Sequence, residues 1–183
     1  MLNVTELRHG MYFQEEETPF EVLSYEHTKM GRGNATVRVR VRNLLTGAMV
    51  AKTYISSKRV EEAELDQKEG TFLYRTNTDY VFDTDEERTE IPREKVGEQG
   101  NYLKKGMDVR ILIYENEPIG VTLPIKAEYS VKEAPPDARG NSANASTKEV
   151  VLENNVKVKT PMFIKEGDKI IVDTRTGEYI SRA

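Results

Sequence analysis

Residues 36–42 read TVRVRVR. The valines at 37, 39 and 41 fall on one side of an extended chain and Arg38, Arg40 and Arg42 on the other, which is the period-2 alternation of a half-buried β-strand. One face should pack on a core while the other presents guanidinium groups to solvent. EVLSYEHT (21–28) precedes this run, and NLLTG (43–47) and MVAKTYI (49–55) follow it, with a turn at Thr46-Gly47. Between the first two runs, residues 29–34 read KMGRGN, a single arginine between two glycines at a hairpin tip. Gly31 and Gly33 permit a tight turn with positive φ and close backbone approach to a partner, so Arg32 is carried out on the end.

The β-type pattern continues outward in three blocks. Residues 1–62 hold short strands around the KMGRGN tip. Residues 63–127 open on an acidic stretch and continue through TFLYRTNTDYVF (71–82), a charged turn DTDEERTEIP (83–92), and VRILIYENEPIGVTLP (109–124), in which Asn116 and Pro118 punctuate two strands. Residues 128–183 run from EYSVKEA through a loop rich in Pro, Gly, Asn and Ser to VVLENNVKVKTPMFI, where Pro161 to Phe163 are expected to pack, and a closing hairpin turns at Thr176-Gly177. Such blocks of about five strands with no long helix suggest small barrels of the oligonucleotide-binding (OB) type.

Charge is unevenly spread. The net charge is −4, yet from Tyr25 to Arg59 eight lysines and arginines face one carboxylate, whereas from Glu61 to Glu90 eleven carboxylates face three cations. One end of the molecule is basic, and arginines in register suit phosphate partners better than lysines do. With no cysteine and only His9 and His27, 18 positions apart, there is no disulfide framework and little basis for a metal site or a histidine-dependent catalytic triad. The acidic run from Asp83 to Glu90 reads as a solvated turn rather than an acid–base site, and no GxxxxGK[ST] loop is present. No apolar run reaches the roughly 18–20 residues of a membrane span, and no basic hydrophobic leader opens the sequence, so a cytoplasmic protein is expected.

Three stretches, HTKMGRGNATVRVRVRNLLTG (27–47), TFLYRTNTDYVFDTD (71–85) and PMFIKEGDKIIVDTRTGEYISRA (161–183), together resemble the bacterial translation elongation factor P family, in order over nearly the whole chain. NLLTG and DTRTGEYISR are the most specific pieces. The resemblance implies an all-β protein in which an SH3-like (KOW-type) N-terminal barrel, residues 1–62, is followed by two OB barrels, 63–127 and 128–183, in an L-shaped arrangement that mimics tRNA. It implies a non-enzymatic monomer that binds the 70S ribosome between the peptidyl and exit sites. There it would touch ribosomal RNA and peptidyl-tRNA and stimulate peptide-bond formation at consecutive prolines.

On this resemblance Lys29, Gly31, Arg32, Gly33 and Asn34 form the functional loop, and Arg32 occupies the tip position that family members modify. No cofactor is expected. An arginine cannot accept the lysine-specific β-lysyl extension, and Gly33 stands where rhamnosylated members carry asparagine, so rhamnosylated and unmodified arginine both remain open. Arg38, Arg40, Arg42, Arg175 and Arg182 are the expected RNA contacts. Gly140, Asn141 and Ser142 align with a loop that meets the exit-site codon of mRNA. The paralogous elongation factor P-like proteins and a generic OB-fold RNA-binding protein are the alternatives. The former lack the KxGxG spacing of residues 29–33, and the latter would line a groove with exposed aromatics, which make up only 8% of this chain.

Overall fold

The computed structural model describes residues 1–28, 35–85, 87–136 and 147–183. The first sheet contains β1 (Leu2–Asn3), β2 (Tyr12–Glu15), β3 (Thr18–Thr28), β4 (Thr36–Asn43), β5 (Met49–Ile55) and β6 (Arg59–Glu62), in the order β1-β6-β2-β3-β4-β5. The second contains β7 (Asp66–Arg75), β8 (Asp79–Asp83), β9 (Arg88–Pro92), β10 (Asp108–Tyr114) and β11 (Glu117–Thr122), ordered β11-β10-β7-β8-β9. The third contains β12 (Lys126–Glu133), β13 (Thr147–Leu152), β14 (Lys157–Pro161), β15 (Lys169–Asp173) and β16 (Glu178–Arg182), ordered β14-β13-β12-β15-β16. Strand β11 also lies against β9, and β14 against β16, so the two five-stranded sheets curl toward closure. The chain is all-β, with a six-stranded domain followed by two OB-type domains.

The alternation in residues 36–42 produces the first core. Val37, Val39 and Val41 are fully buried with Val4, Leu7, Phe13 and Val22, and the Phe13 and Phe20 rings stack with centroids 5.5 Å apart. Tight hairpins set the register. Glu16 and Glu17 both take positive φ between β2 and β3, as do Glu115 and Asn116 between β10 and β11, the two-residue geometry whose twist matches that of the flanking strands. The second turn is therefore Glu115-Asn116. Pro118, expected to punctuate, sits inside the edge strand β11 at a register shift opposite Ile113, where a missing N–H is tolerated.

Two other features depart from expectation. Residues 93–102 form a short α-turn, α1 (Arg93–Val96), running directly into a 3-10 segment (Gly97–Tyr102). Phe163, expected to pack, is 58% exposed, and its neighbour Ile164 fills the core instead. Among the described residues no helix is long and apolar enough to cross a membrane.

The 93–102 segment lies where the domains meet. A single apolar cluster runs from Phe72, Phe82, Ile91 and Leu103 of the second domain into Tyr129, Val131, Leu152 and Val172 of the third. The first domain joins through a smaller patch in which Leu44 packs with Leu112, Tyr114 and Ile119.

Candidate RNA-binding site

The basic face is built by β4 and its two neighbours. Arg38 stands opposite Glu26 on β3 and Thr53 on β5, and Arg40 stands opposite Ser24 and Ala51. Residues paired in this way share a face of the sheet, so the small side chains of Ser24, Ala51 and Thr53 leave both guanidinium groups uncovered. Both arginines are exposed, and among the described residues neither forms an ion pair. Forked donors exposed along one strand suit phosphate oxygens, although Glu26 stands across from Arg38.

Arg42 does not belong to this face. It continues the alternation but is only 6% exposed, ion-paired with Glu21, and donates Nη1 to the Val96 carbonyl at 2.7 Å. Gln99 Nε2 completes the cluster by donating to Glu21 Oε1 at 3.3 Å. The expectation of a solvent-facing RNA contact at Arg42 is corrected: the second domain covers this end of β4, and the side chain is spent on holding it.

The opposite face of the hairpin is tied down separately. Lys52 Nζ lies 2.5 Å from Glu15 Oε2 and 4.1 Å from the centre of the Phe20 ring, and the Tyr54 hydroxyl donates to the same carboxylate at 3.1 Å. Burial pulls the Glu15 pKa up, but the hydrogen bonds from Lys52 and Tyr54 outweigh it and hold the carboxyl below its ordinary range. Burial and the adjacent Glu15 charge push the Tyr54 phenol well above its usual value. Lys52 is therefore a clamp on the packed side, unlike the exposed Arg38 and Arg40.

In the third domain, Arg175 donates to both oxygens of Asp173, at 3.1 and 2.6 Å, and Arg182 pairs with Asp168 at 2.8 Å. The Arg175 hydrogen bonds hold the Asp173 carboxyl below its usual range against the opposing effect of burial. Both arginines remain more than half exposed, but each already has an anion. The loop positions Lys29, Gly31, Arg32, Gly33 and Asn34, and likewise Gly140, Asn141 and Ser142, lie outside the described residues.

Sequence reasoning missed the covering of Arg42 and the part played by residues 93–102. The only trace of the former was Glu21, an acid set between the apolar Phe20 and Val22. Among the described residues no cluster of histidines and carboxylates is arranged to hold a metal ion.

Comparison with known proteins covers the chain from end to end. Residues 3–60 match the family description "Elongation factor P (EF-P) KOW-like domain", residues 65–121 "Elongation factor P (EF-P) OB domain", and residues 127–182 "Elongation factor P, C-terminal". The chain is 40% identical to elongation factor P of Symbiobacterium thermophilum over the full length of both proteins. It is 37% identical to that of Dictyoglomus thermophilum, again over both full lengths. For that of Aquifex aeolicus the identity is 35%, over 99% of this chain and 95% of the relative. With three consecutive family matches and relatives of this identity along their whole length, the chain belongs to the translation elongation factor P family.

Proposed function

We propose that this elongation factor binds the ribosome between the peptidyl and exit sites and speeds peptide-bond formation at consecutive prolines by holding peptidyl-tRNA in place. The observation that carries the reading is the pair of exposed guanidinium groups on β4, Arg38 and Arg40, which form no ion pair among the described residues, in a chain that matches its family throughout. The two arginines grip RNA phosphates. The loop, with Arg32 at its tip, reaches toward the acceptor end of peptidyl-tRNA. Arg175, Arg182 and residues 140–142 supply further contacts to ribosomal RNA and the exit-site codon.

The work done is positioning. Proline reacts poorly as an amine in a constrained geometry, so immobilising the acceptor end removes part of the entropic barrier while the ribosome supplies the reaction centre. The protein acts as a monomer and catalyses nothing on its own. Arg32 carries either a rhamnose or no modification.

The test is a translation reporter with a Pro-Pro-Pro stretch read against one without it. The factor should raise the first and leave the second unchanged. Arg32→Ala should keep ribosome binding and lose most of the rescue, and Arg32→Lys should be impaired because it lacks the planar fork. Full rescue by Arg32→Ala would remove the loop from the mechanism. The intact mass of the protein from its native host separates the two tip chemistries.

A further inference from the structure

Two turns in different domains share one geometry. Residues 43–47 (NLLTG) join β4 to β5, and residues 173–177 (DTRTG) join β15 to β16. Each opens on a side-chain oxygen that caps the turn: Asn43 Oδ1 accepts from the Leu45 and Thr46 amides at 2.9 and 3.1 Å, and Asp173 Oδ1 accepts from the Arg175 amide at 2.9 Å. Each closes through the same backbone bond at 2.8 Å, Gly47 N–H to the Asn43 carbonyl and Gly177 N–H to the Asp173 carbonyl. In each, the threonine hydroxyl before the glycine accepts from the amide after it, Ala48 or Glu178, at 3.3 Å.

The matching positions also leave their own sheets in the same way. The second residue of each turn is buried, Leu44 against the second domain, while Thr174 donates Oγ1 to the Pro124 carbonyl in the connector, at 2.7 Å. The fifth residue is a glycine pressed against residues 93–102. A Cβ on Gly47 would stand 2.6 Å from the Glu94 carbonyl oxygen, and one on Gly177 would overlap the Tyr102 hydroxyl. Positive φ alone does not account for this closeness. Gly10 and Gly167 take φ of +81° and +84° in the same two domains, and a Cβ on either meets nothing within 4 Å.

We propose that residues 43–47 and 173–177 are a matched pair of docking turns, seating the first and third domains at the two ends of the 93–102 segment and so setting the span between those two domains. Domains joined by short connectors rotate against each other unless an interface prevents it, and these two contacts add to the constraint of the shared apolar cluster and the Arg42–Val96 bond. The consequence for translation rests on the ribosomal reading above, whereas the docking does not.

The chain has no cysteine, so spin labels can be placed without removing any. Labels introduced at the exposed positions Ser57, Glu90 and Lys159 report the first-to-second and second-to-third domain distances by double electron–electron resonance. Gly47→Ala should shift or broaden the first distance, and Gly177→Ala the second. Gly10→Ala and Gly167→Ala carry the same backbone strain without the contact and should leave both at their parent values. Tyr102→Phe removes the atom that the Gly177→Ala methyl strikes, so the double variant should recover the parent distribution. Unchanged distances in the docking variants, equal effects in the paired controls, or no recovery by Tyr102→Phe would overturn the proposal. In the proline reporter, Gly47→Ala should lower the maximal rescue more than it raises the half-saturating concentration. A wild-type protein that gives no rescue would instead refute the ribosomal reading and leave the distance measurements to decide the docking.

Discussion

The Arg42 guanidinium reaches out of the first domain to the Val96 carbonyl of the second, 2.7 Å away, while its other amino group is ion-paired with Glu21. Strand β4 thus serves two purposes along its length: its outer half, at Arg38 and Arg40, is open, and its inner half is closed by a neighbouring domain. The first prediction follows from that closure. Arg42→Ala leaves a buried carboxylate and a buried carbonyl without their partner and should cost about 3–5 kcal/mol in denaturant unfolding. Replacing the pair together, as Arg42→Met with Glu21→Leu, should cost less than the single change, because no unpaired charge is then left inside.

Arg38→Ser and Arg40→Ser should behave oppositely. Both side chains are exposed and unpaired among the described residues, so stability should stay within about 0.5 kcal/mol of the parent. Ribosome affinity should fall, and the slope of log affinity against log salt should flatten by roughly 0.7–0.9 for each phosphate that is no longer neutralised. Affinity that drops with no change in salt slope would show that these arginines do not meet phosphate.

Glu15 gives a pH test. Its pKa is lower folded than unfolded, so its contribution is fully present above the unfolded value of about 4.3 and is lost as pH falls through the lower folded value. Lys52→Met removes a strong lowering partner. The stability gap between wild type and this variant should therefore be constant near neutrality and shrink as acid is added below about pH 4, read from urea midpoints across pH. A gap that widens in acid would show the clamp to be misassigned.

Tyr129 is fully buried and donates its hydroxyl to the Tyr102 carbonyl at 2.6 Å. Tyr129→Phe should cost about 1–3 kcal/mol, because it leaves that carbonyl without its donor where the second and third domains meet. Burial pushes the Tyr129 and Tyr54 phenols well above their usual value. In an alkaline absorbance titration both should ionise late, and the Tyr129→Phe curve should lack one late-titrating group.

The sheets were legible in the sequence because their signal is local. Valine alternation, NLLTG and DTRTG each specify a strand or turn within a few residues, and the turns formed where the glycines stand. The error at Arg42 has the same origin. Alternation says which side chains share a face but not what another domain lays over that face, and the cover comes from Val96, 54 positions away. Residues 93–102 escaped notice because a four-residue α-turn is too short for helical periodicity to register. Pro118 misled because proline usually marks a turn, whereas an edge strand with a register shift accommodates it equally well.

The unequal sharing of apolar clusters bears on how the polypeptide matures as it leaves the ribosome that made it. Every strand of the first sheet lies within the first 62 residues, so that sheet can form early, leaving Arg42 and Leu44 to await the second domain. The second sheet is complete at Thr122, but the cluster it shares with the third is finished only by side chains between Tyr129 and Val172. During that interval of synthesis the nascent chain carries a finished barrel with part of its apolar surface still bare, the stage at which contact with another nascent chain does most harm.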